Sequence, residues 1–363
     1  MDNKVLYVES SKHTYPIIVE PESLSSLYSK IEEHSDSKAS RFFIITDDTV
    51  APLYLDIAVS SFPIKDKVDT YVIPTGEASK SLSMYEKVMT AALENKLDRK
   101  SLIIALGGGV VGDLAGFIAA TYMRGIPFVQ VPTTLLAHDS SVGGKVGINH
   151  PLGKNMIGAF HPPSLVIYDP KALMSLPEKE WRSGFAEVIK HGFIADESFL
   201  TWLQDKIVSF QNISMDVLTE LLIRSIKVKV AVVEQDEEEK GIRAYLNFGH
   251  TLGHAIEGEA GYGQLTHGEA VAIGMEFAVR FSEKYYGHQL EADKYFNYMK
   301  DLGYSLDIPS DMDINQLIHR IKLDKKSHSS KIHFVLLQKI GSPKLVEVNE
   351  NLLKAELTGK GGV

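Results

Sequence analysis

The chain has 363 residues, 44% of them hydrophobic and 23% charged, with a formal net charge of −9 and no cysteine. That length carries two domains with real cores, no apolar run reaches membrane-spanning length, and disulfides and thiolate metal sites are excluded. The acidic balance argues against nucleic acid as a partner, since a phosphate backbone needs a basic face, but it leaves room for a small anion held by a few lysines.

The first half reads as strands alternating with helices. Residues 4–9 and 15–19 look like a strand pair. Arg41-Phe-Phe-Ile-Ile-Thr46 is a short apolar run ending in Asp47-Asp48, the pattern of a buried parallel strand. Residues 70–74 form another, followed by Thr75-Gly-Glu-Ala-Ser-Lys80 and an amphipathic helix over 83–94. Residues 101–106 run straight into Gly107-Gly-Gly-Val-Val-Gly112-Asp113, and 128–132 end in Thr133-Thr134. Such alternation, with loops at the carboxyl ends of the strands, predicts a doubly wound, mostly parallel, Rossmann-like sheet.

Beyond residue 177 long helical periods take over, at 178–195, 215–236, 244–258, 267–286 and 292–302, and strand-like runs nearly vanish until 332–337. The expected organisation is an α/β domain over 1–175 and an all-helical domain over 176–363, with the boundary within 170–177. The polar start, Met-Asp-Asn-Lys, lacks a secretory pattern, and a cytoplasmic location is expected.

Gly107-x-Gly109-x-x-Gly112 follows a strand and opens a helix, the context of a phosphate cradle: glycines let the backbone approach, and the helix start offers unpaired N–H groups. It departs from the dinucleotide fingerprint by sitting at a later strand, with no acidic residue about twenty positions on. Glu77, Lys80, Thr133 and Thr134, at other strand ends, could complete a cofactor pocket. Asp139-Ser-Ser-Val-Gly-Gly-Lys145 and Gly153-Lys154-Asn155 place donors around an anion, or else form a solvated glycine-rich loop.

Three strings in the second half pair imidazole with carboxylate or with a second imidazole: Glu187-Val-Ile-Lys190-His191, Gly249-His250-Thr-Leu-Gly-His254 and Thr266-His267-Gly-Glu269. Residues four apart share a helix face, so Glu187 would lie above His191, and His250 above His254. Any one of these histidines reads most simply as a structural residue. Three such strings within a hundred residues point to a catalytic divalent metal such as zinc.

Segments 107–113, 139–145, 152–155, 185–190, 247–257 and 267–275, in that order, closely resemble the 3-dehydroquinate synthases, and the resemblance runs from Gly76-Glu77 to Asp324-Lys325-Lys326. It implies tightly held NAD, one divalent metal (zinc first, cobalt second), and conversion of a sugar-phosphate substrate, 3-deoxy-D-arabino-heptulosonate 7-phosphate, to 3-dehydroquinate and phosphate. It further implies that Glu187, His250 and His267 are the metal ligands, while His254 joins Lys145, Asn155 and either Lys325 or Lys326 on the substrate phosphate. Arg243 and Lys229 would hold the carboxylate, and Asp139 and Lys190 would sit near the reacting hydroxyls. Arg124 would reach the site of a neighbouring subunit in a homodimer. NAD would lie on Asp47, Thr75, Gly76, Glu77, Lys80, Gly108, Gly109, Val110, Val111, Gly112, Asp113, Thr133, Thr134, Lys145 and Lys154.

Rival readings are a metal-dependent polyol dehydrogenase of related fold, another sugar-phosphate cyclase, and a non-catalytic metabolite-binding protein. Arg243 with Lys229 favours a carboxylated substrate. Asp139, Lys190 and the metal triad favour catalysis, because mere binding needs no Lewis acid.

Overall fold

The computed structural model describes residues 5–34, 38–261, 264–325 and 331–359, so Lys4 and Lys326 lie outside the described residues. Two compact units emerge: Met1–Leu176 with Ser214–Glu237, and Pro177–Ile213 with Glu238–Val363. In chain order the first unit runs β1 (Val5–Glu9), β2 (Thr14–Val19), α1 (Leu27–His34), β3 (Phe42–Asp47), α2 (Asp56–Ser60), β4 (Val68–Ile73) and α3 (Leu82–Glu94). It continues with β5 (Leu102–Gly107), α4 (Gly109–Thr121), β6 (Phe128–Pro132), α5 (Ala137–Ser140), β7 (Lys145–His150), β8 (Gly153–Phe160) and β9 (Leu165–Tyr168).

Seven of these strands form one sheet in the order β1-β2-β9-β6-β5-β3-β4, with β1 antiparallel to β2 and the other neighbours parallel. Central strands are apolar throughout because both faces are covered. Phe43, Ile45, Ile103 and Ala105 pack with Val111, Leu114 and Ile118 of α4. Their neighbours Phe42, Ile44, Ile104 and Leu106 pack with Leu27 and Ile31 of α1. From β3 the chain goes outward to β4, then crosses back to β5 on the other side, so the order reverses between β3 and β5. A ligand crevice opens at such a reversal, outside the strands' carboxyl ends. This is why the glycine cluster sits at β5 and not at the first strand.

Lys145 and Gly153-Lys154-Asn155, for which a solvated glycine-rich loop was the alternative above, lie in an antiparallel hairpin of β7 and β8 in which Gly147 is opposite Gly158. Glycine, lysine and asparagine hide the strand, since a pleated surface is normally signalled by β-branched residues.

After α6 (Glu178–Ala195) and α7 (Glu197–Lys206) in the second unit, α8 (Met215–Val233) returns to the first. A single cut at residue 175 would assign α8 to the helical domain. Two rungs to α5 place it with the sheet instead: Lys229 Nζ donates to Asp139 Oδ2 at 3.0 Å, and Ser225 Oγ meets His138 Nε2 at 2.9 Å.

The second unit continues with α9 (His250–Ala260), α10 (His267–Tyr286), α11 (Asp293–Asp301), α12 (Ile314–Lys325), β10 (Ile332–Lys339), β11 (Ser342–Val348) and α13 (Glu350–Leu357). It is helical but not all-helical, because β10 and β11 pair as a hairpin whose Phe334 and Leu336 join Leu252, Ile256, Ile273 and Leu317 in the core. Helix α10 lies unusually close to its neighbours. A Cβ on Gly268 would stand 1.9 Å from the Ser183 carbonyl oxygen of α6, and one on Gly274 would stand 1.9 Å from that of Gly249. Among the described residues no helix is long and apolar enough to cross a membrane.

Candidate functional site

The helical unit brings three ligand-type side chains together from three helices. Glu187 sits on α6 with its side chain 1% exposed. The periodic stretch 244–258 is not one helix: Gly249 at φ +78° ends a short 3-10 turn over Ile242–Asn247 and lets His250 open α9. His267 opens α10, started by a reciprocal cap between Thr266 and Glu269. Helix starts therefore deliver both imidazoles. His250 Nε2 lies 3.3 Å and His267 Nε2 3.5 Å from the same Glu187 oxygen, Oε1, while Lys190 Nζ contacts Oε2. Both Glu187 oxygens are fully buried, and among the described residues neither has an aligned hydrogen bond.

The far nitrogens are held as well. His250 Nδ1 is 3.1 Å from the Phe248 carbonyl oxygen, and His267 Nδ1 is 3.2 Å from Glu257 Oε2. Burial would raise the Glu187 carboxyl, but the Lys190 ammonium and the imidazoles hold it well below the usual carboxylate range. Burial, helped by Lys190, pushes His250 down to about 4 against the pull of Glu187. His267 goes the other way: burial opposes its charge, yet Glu187 and Glu257 lift it to about 9.

His254 is exposed, with its ring centroid 5.3 Å from that of His250 and 5.7 Å from that of His267, so it stands at the mouth of the centre. The three imidazoles offer nitrogens within 4.8 Å of one another. Arg243 lies buried in the 3-10 turn before α9. Helix-face stacking of Glu187 with His191 does not describe the centre, because Glu187 faces His250 and His267 from other helices. Glu269 serves the cap and Arg182. Glu257 received no role from the sequence; the signal for it was its place seven residues after His250, on the same helix face.

In the first unit the candidates gather at the carboxyl ends of β3, β5 and β6. Gly108 caps α4, and a Cβ there would stand 3.0 Å from Thr134 Cγ2, so a larger residue would press on that side chain. Thr133 Oγ1 is buried with no partner among the described residues. Lys80, 4% exposed, is a hub whose Nζ donates to Asp113 Oδ2 at 2.7 Å and to Asn155 Oδ1 at 2.5 Å and lies 3.6 Å from Glu77 Oε1. Asn149, absent from the expected set, donates to Glu77 and accepts from the Asn155 amide. Thr75 and Gly76 are exposed, as are Lys145 and Lys154 on the hairpin; Val110 and Gly112 lie on α4, where Gly112 backs onto Gln130.

Two expected contacts take a different form. Val111 buries its side chain in the core, which leaves only its backbone for a ligand. Asp47 Oδ1 accepts from Thr49 and Val50 N–H, capping its own turn, while Asp48 accepts from Thr75. Arg124 is exposed at φ +71° between Met123 and Gly125, both also at positive φ. Asp139 and Lys229 pair with each other.

Solved structures that share this fold include cyclases that act on sugar phosphates and, at lower TM-scores of 0.64–0.66, dehydrogenases and reductases. A 2-deoxy-scyllo-inosose synthase solved with carbaglucose-6-phosphate, NAD+ and Co2+ matches with a TM-score of 0.86 at 26% identity, covering 97% of this chain and 99% of that one. A 2-epi-5-epi-valiolone synthase from Streptomyces hygroscopicus, solved with NAD+ and Zn2+, matches at 0.84 and 26%, covering 97% of each. Within that class the chain belongs to the 3-dehydroquinate synthase family, whose N-terminal model matches residues 70–183 and whose C-terminal model matches 184–327. The 3-dehydroquinate synthase of Halalkalibacterium halodurans is 55% identical over 350 residues, 96% of each chain. This chain is an enzyme with the family's function, the formation of 3-dehydroquinate.

Proposed function

We propose that the enzyme is a phosphate-eliminating carbon–oxygen lyase that takes 3-deoxy-D-arabino-heptulosonate 7-phosphate to 3-dehydroquinate and phosphate, with catalytic NAD and one divalent metal, zinc before cobalt. The observation that carries it is the buried Glu187 carboxylate, touched at Oε2 by Lys190 Nζ and faced at Oε1 by two imidazole Nε2 atoms. A carboxylate and two neutral imidazoles suit zinc and leave a position open for substrate. NAD suits the glycine-edged start of α4, where backbone N–H groups point outward. When bound, NAD supplies reversible hydride transfer and the metal a Lewis acid.

The chain's own residues supply grip and proton control. Lys145, Asn155, His254 and Lys325 or Lys326 orient the phosphate, and Arg243 with Lys229 holds the carboxylate, so the opened intermediate stays in register. Lys190, buried beside Glu187, and Asp139 would manage protons at the hydroxyls. The cofactor would be held by Thr75, Gly76, Glu77, Lys80, the 108–113 turn, Thr133, Thr134, Lys145 and Lys154. Asp47, whose Oδ1 caps the turn after β3, would act toward the cofactor by shaping that turn. Arg124, held out by a strained turn, would serve the partner site of a homodimer working in the cytoplasm. The cofactor falls to the α/β domain begun by 1–175 and the metal to the helical domain within 176–363, with α8 and its Lys229 counted with the sheet.

The test is product stoichiometry. With one equivalent of NAD per chain and excess heptulosonate phosphate, phosphate and dehydroquinate should form over many turnovers with no accumulation of NADH. NADH rising in proportion to product would transfer the case to the polyol dehydrogenase reading.

A further inference from the structure

We propose that Glu257 is a positioning residue of the metal centre, fixing the tautomer and ring orientation of His267 so that Nε2 is presented beside Glu187. The inference rests on the metal reading above and extends it to a side chain that reading leaves idle. The two imidazoles differ in what secures them. His250 is buried, and its Nδ1 lies 3.1 Å from a main-chain carbonyl two residues back. His267 is more open, its side chain 29% exposed, at the first position of α10. A histidine χ2 has broad wells, so little in the local backbone prevents the ring from turning over and exchanging its nitrogens.

Glu257 removes that freedom. It projects from α9, seven residues after His250, and brings Oε2 to 3.2 Å from His267 Nδ1. An acceptor at Nδ1 holds a proton there, so the proton given up when the ring binds a metal is the one on Nε2, and the lone pair it leaves is directed to the space shared with Glu187 and His250. A carboxylate, unlike the carbonyl behind His250, also transfers negative charge to the ring and makes it the stronger donor. Partners of this kind behind a metal-bound histidine are worth roughly 10- to 100-fold in metal affinity.

The test uses the full-length, metal-free protein titrated with Zn2+ against a chromogenic chelator, and with Co2+ followed by its visible spectrum. Glu257→Ala should bind zinc roughly 10- to 100-fold more weakly and show altered Co2+ bands, because the ring no longer has one orientation. Glu257→Gln keeps an acceptor but loses charge assistance, so it should fall between the wild type and Glu257→Ala, with a more nearly native Co2+ spectrum. A purely structural role would lower the melting temperature of the metal-free variants and leave the wild-type Co2+ bands in place. If the wild type takes up one metal and Glu257→Ala binds it equally tightly with unchanged bands, the proposal is overturned and the metal reading stands. If the wild type itself takes up none, the metal reading fails. Should Glu257→Ala not fold, Glu257→Gln decides alone, and wild-type affinity there overturns the proposal.

Discussion

Replacing Gly274 with alanine isolates the contact that lets α10 bring His267 to the other ligands. The added Cβ would stand 1.9 Å from the Gly249 carbonyl oxygen and 3.1 Å from the Gly253 nitrogen. Both obstacles are main chain, so no rotamer change relieves them, and α10 must move away from α9 by about 1.5 Å to restore ordinary contact. Helix propensity alone favours alanine over glycine by about 1 kcal/mol, whereas overpacking of this kind costs about 3 kcal/mol. A net loss of about 2 kcal/mol is expected, or a fall of roughly 4–8 °C in the melting of a unit this size. A ligand displaced by that distance also lies outside the roughly 0.2 Å tolerance of a metal site, so zinc affinity should drop together with stability. Thermal melts of the metal-free protein and chelator competition measure the two separately. A variant that melts at or above the wild type, as propensity alone would give, would refute the reasoning.

Metal uptake should release protons in a pattern set by the two imidazoles. His267, raised from its ordinary 6.5 to about 9, is charged at pH 7 in the metal-free protein, while His250, lowered to about 4, is neutral. Zinc binding at pH 7 should therefore release close to one proton in calorimetry across buffers of different ionisation enthalpy, and affinity should rise about tenfold per pH unit up to about 9; pH-independent affinity over that range would contradict it. By linkage, the stabilisation His267 gains from its carboxylate neighbours is fully present below its unfolded value of 6.5 and lost as pH rises through about 9, so the metal-free protein should weaken over that window. Arg243→Lys keeps a charge but loses the planar fork, and should weaken a carboxylated substrate analogue by about 2 kcal/mol while inorganic phosphate binds as before; the reverse pattern would exchange the two ends of the substrate.

Local spacing carried the identity of most elements. Helices α6 and α10 and strand β6 lie where apolar periodicity places them, because their residues either alternate across two covered faces or repeat every 3.6 positions. The six motif segments carried the family. Where reading failed, the cause lay in contacts that periodicity does not encode. The β7–β8 hairpin has glycine, lysine and asparagine where strands usually show branched residues. The break at Gly249 depends on a left-handed backbone, and that break makes His250 a helix start and not a mid-helix residue.

The composition of the centre was legible, since glutamate and histidine at helical spacing already suggest a metal. Its partnerships were not legible in the spacing, and only the family resemblance joined Glu187 with His250 and His267. Neighbours along one helix suggested Glu187 with His191, but the carboxylate meets imidazoles more than sixty residues away, because Gly268 and Gly274 allow three helices to converge more closely than side chains would permit. Likewise α8 looks like any helix of the second half until the rungs from Lys229 to Asp139 and from Ser225 to His138 tie it to the sheet. Sequence alone determined which chemistry the chain could perform, because donor types and short-range periods are local properties. Tertiary structure decided which donors meet and in what protonation state, because burial and charge act through space between residues that the chain order keeps far apart.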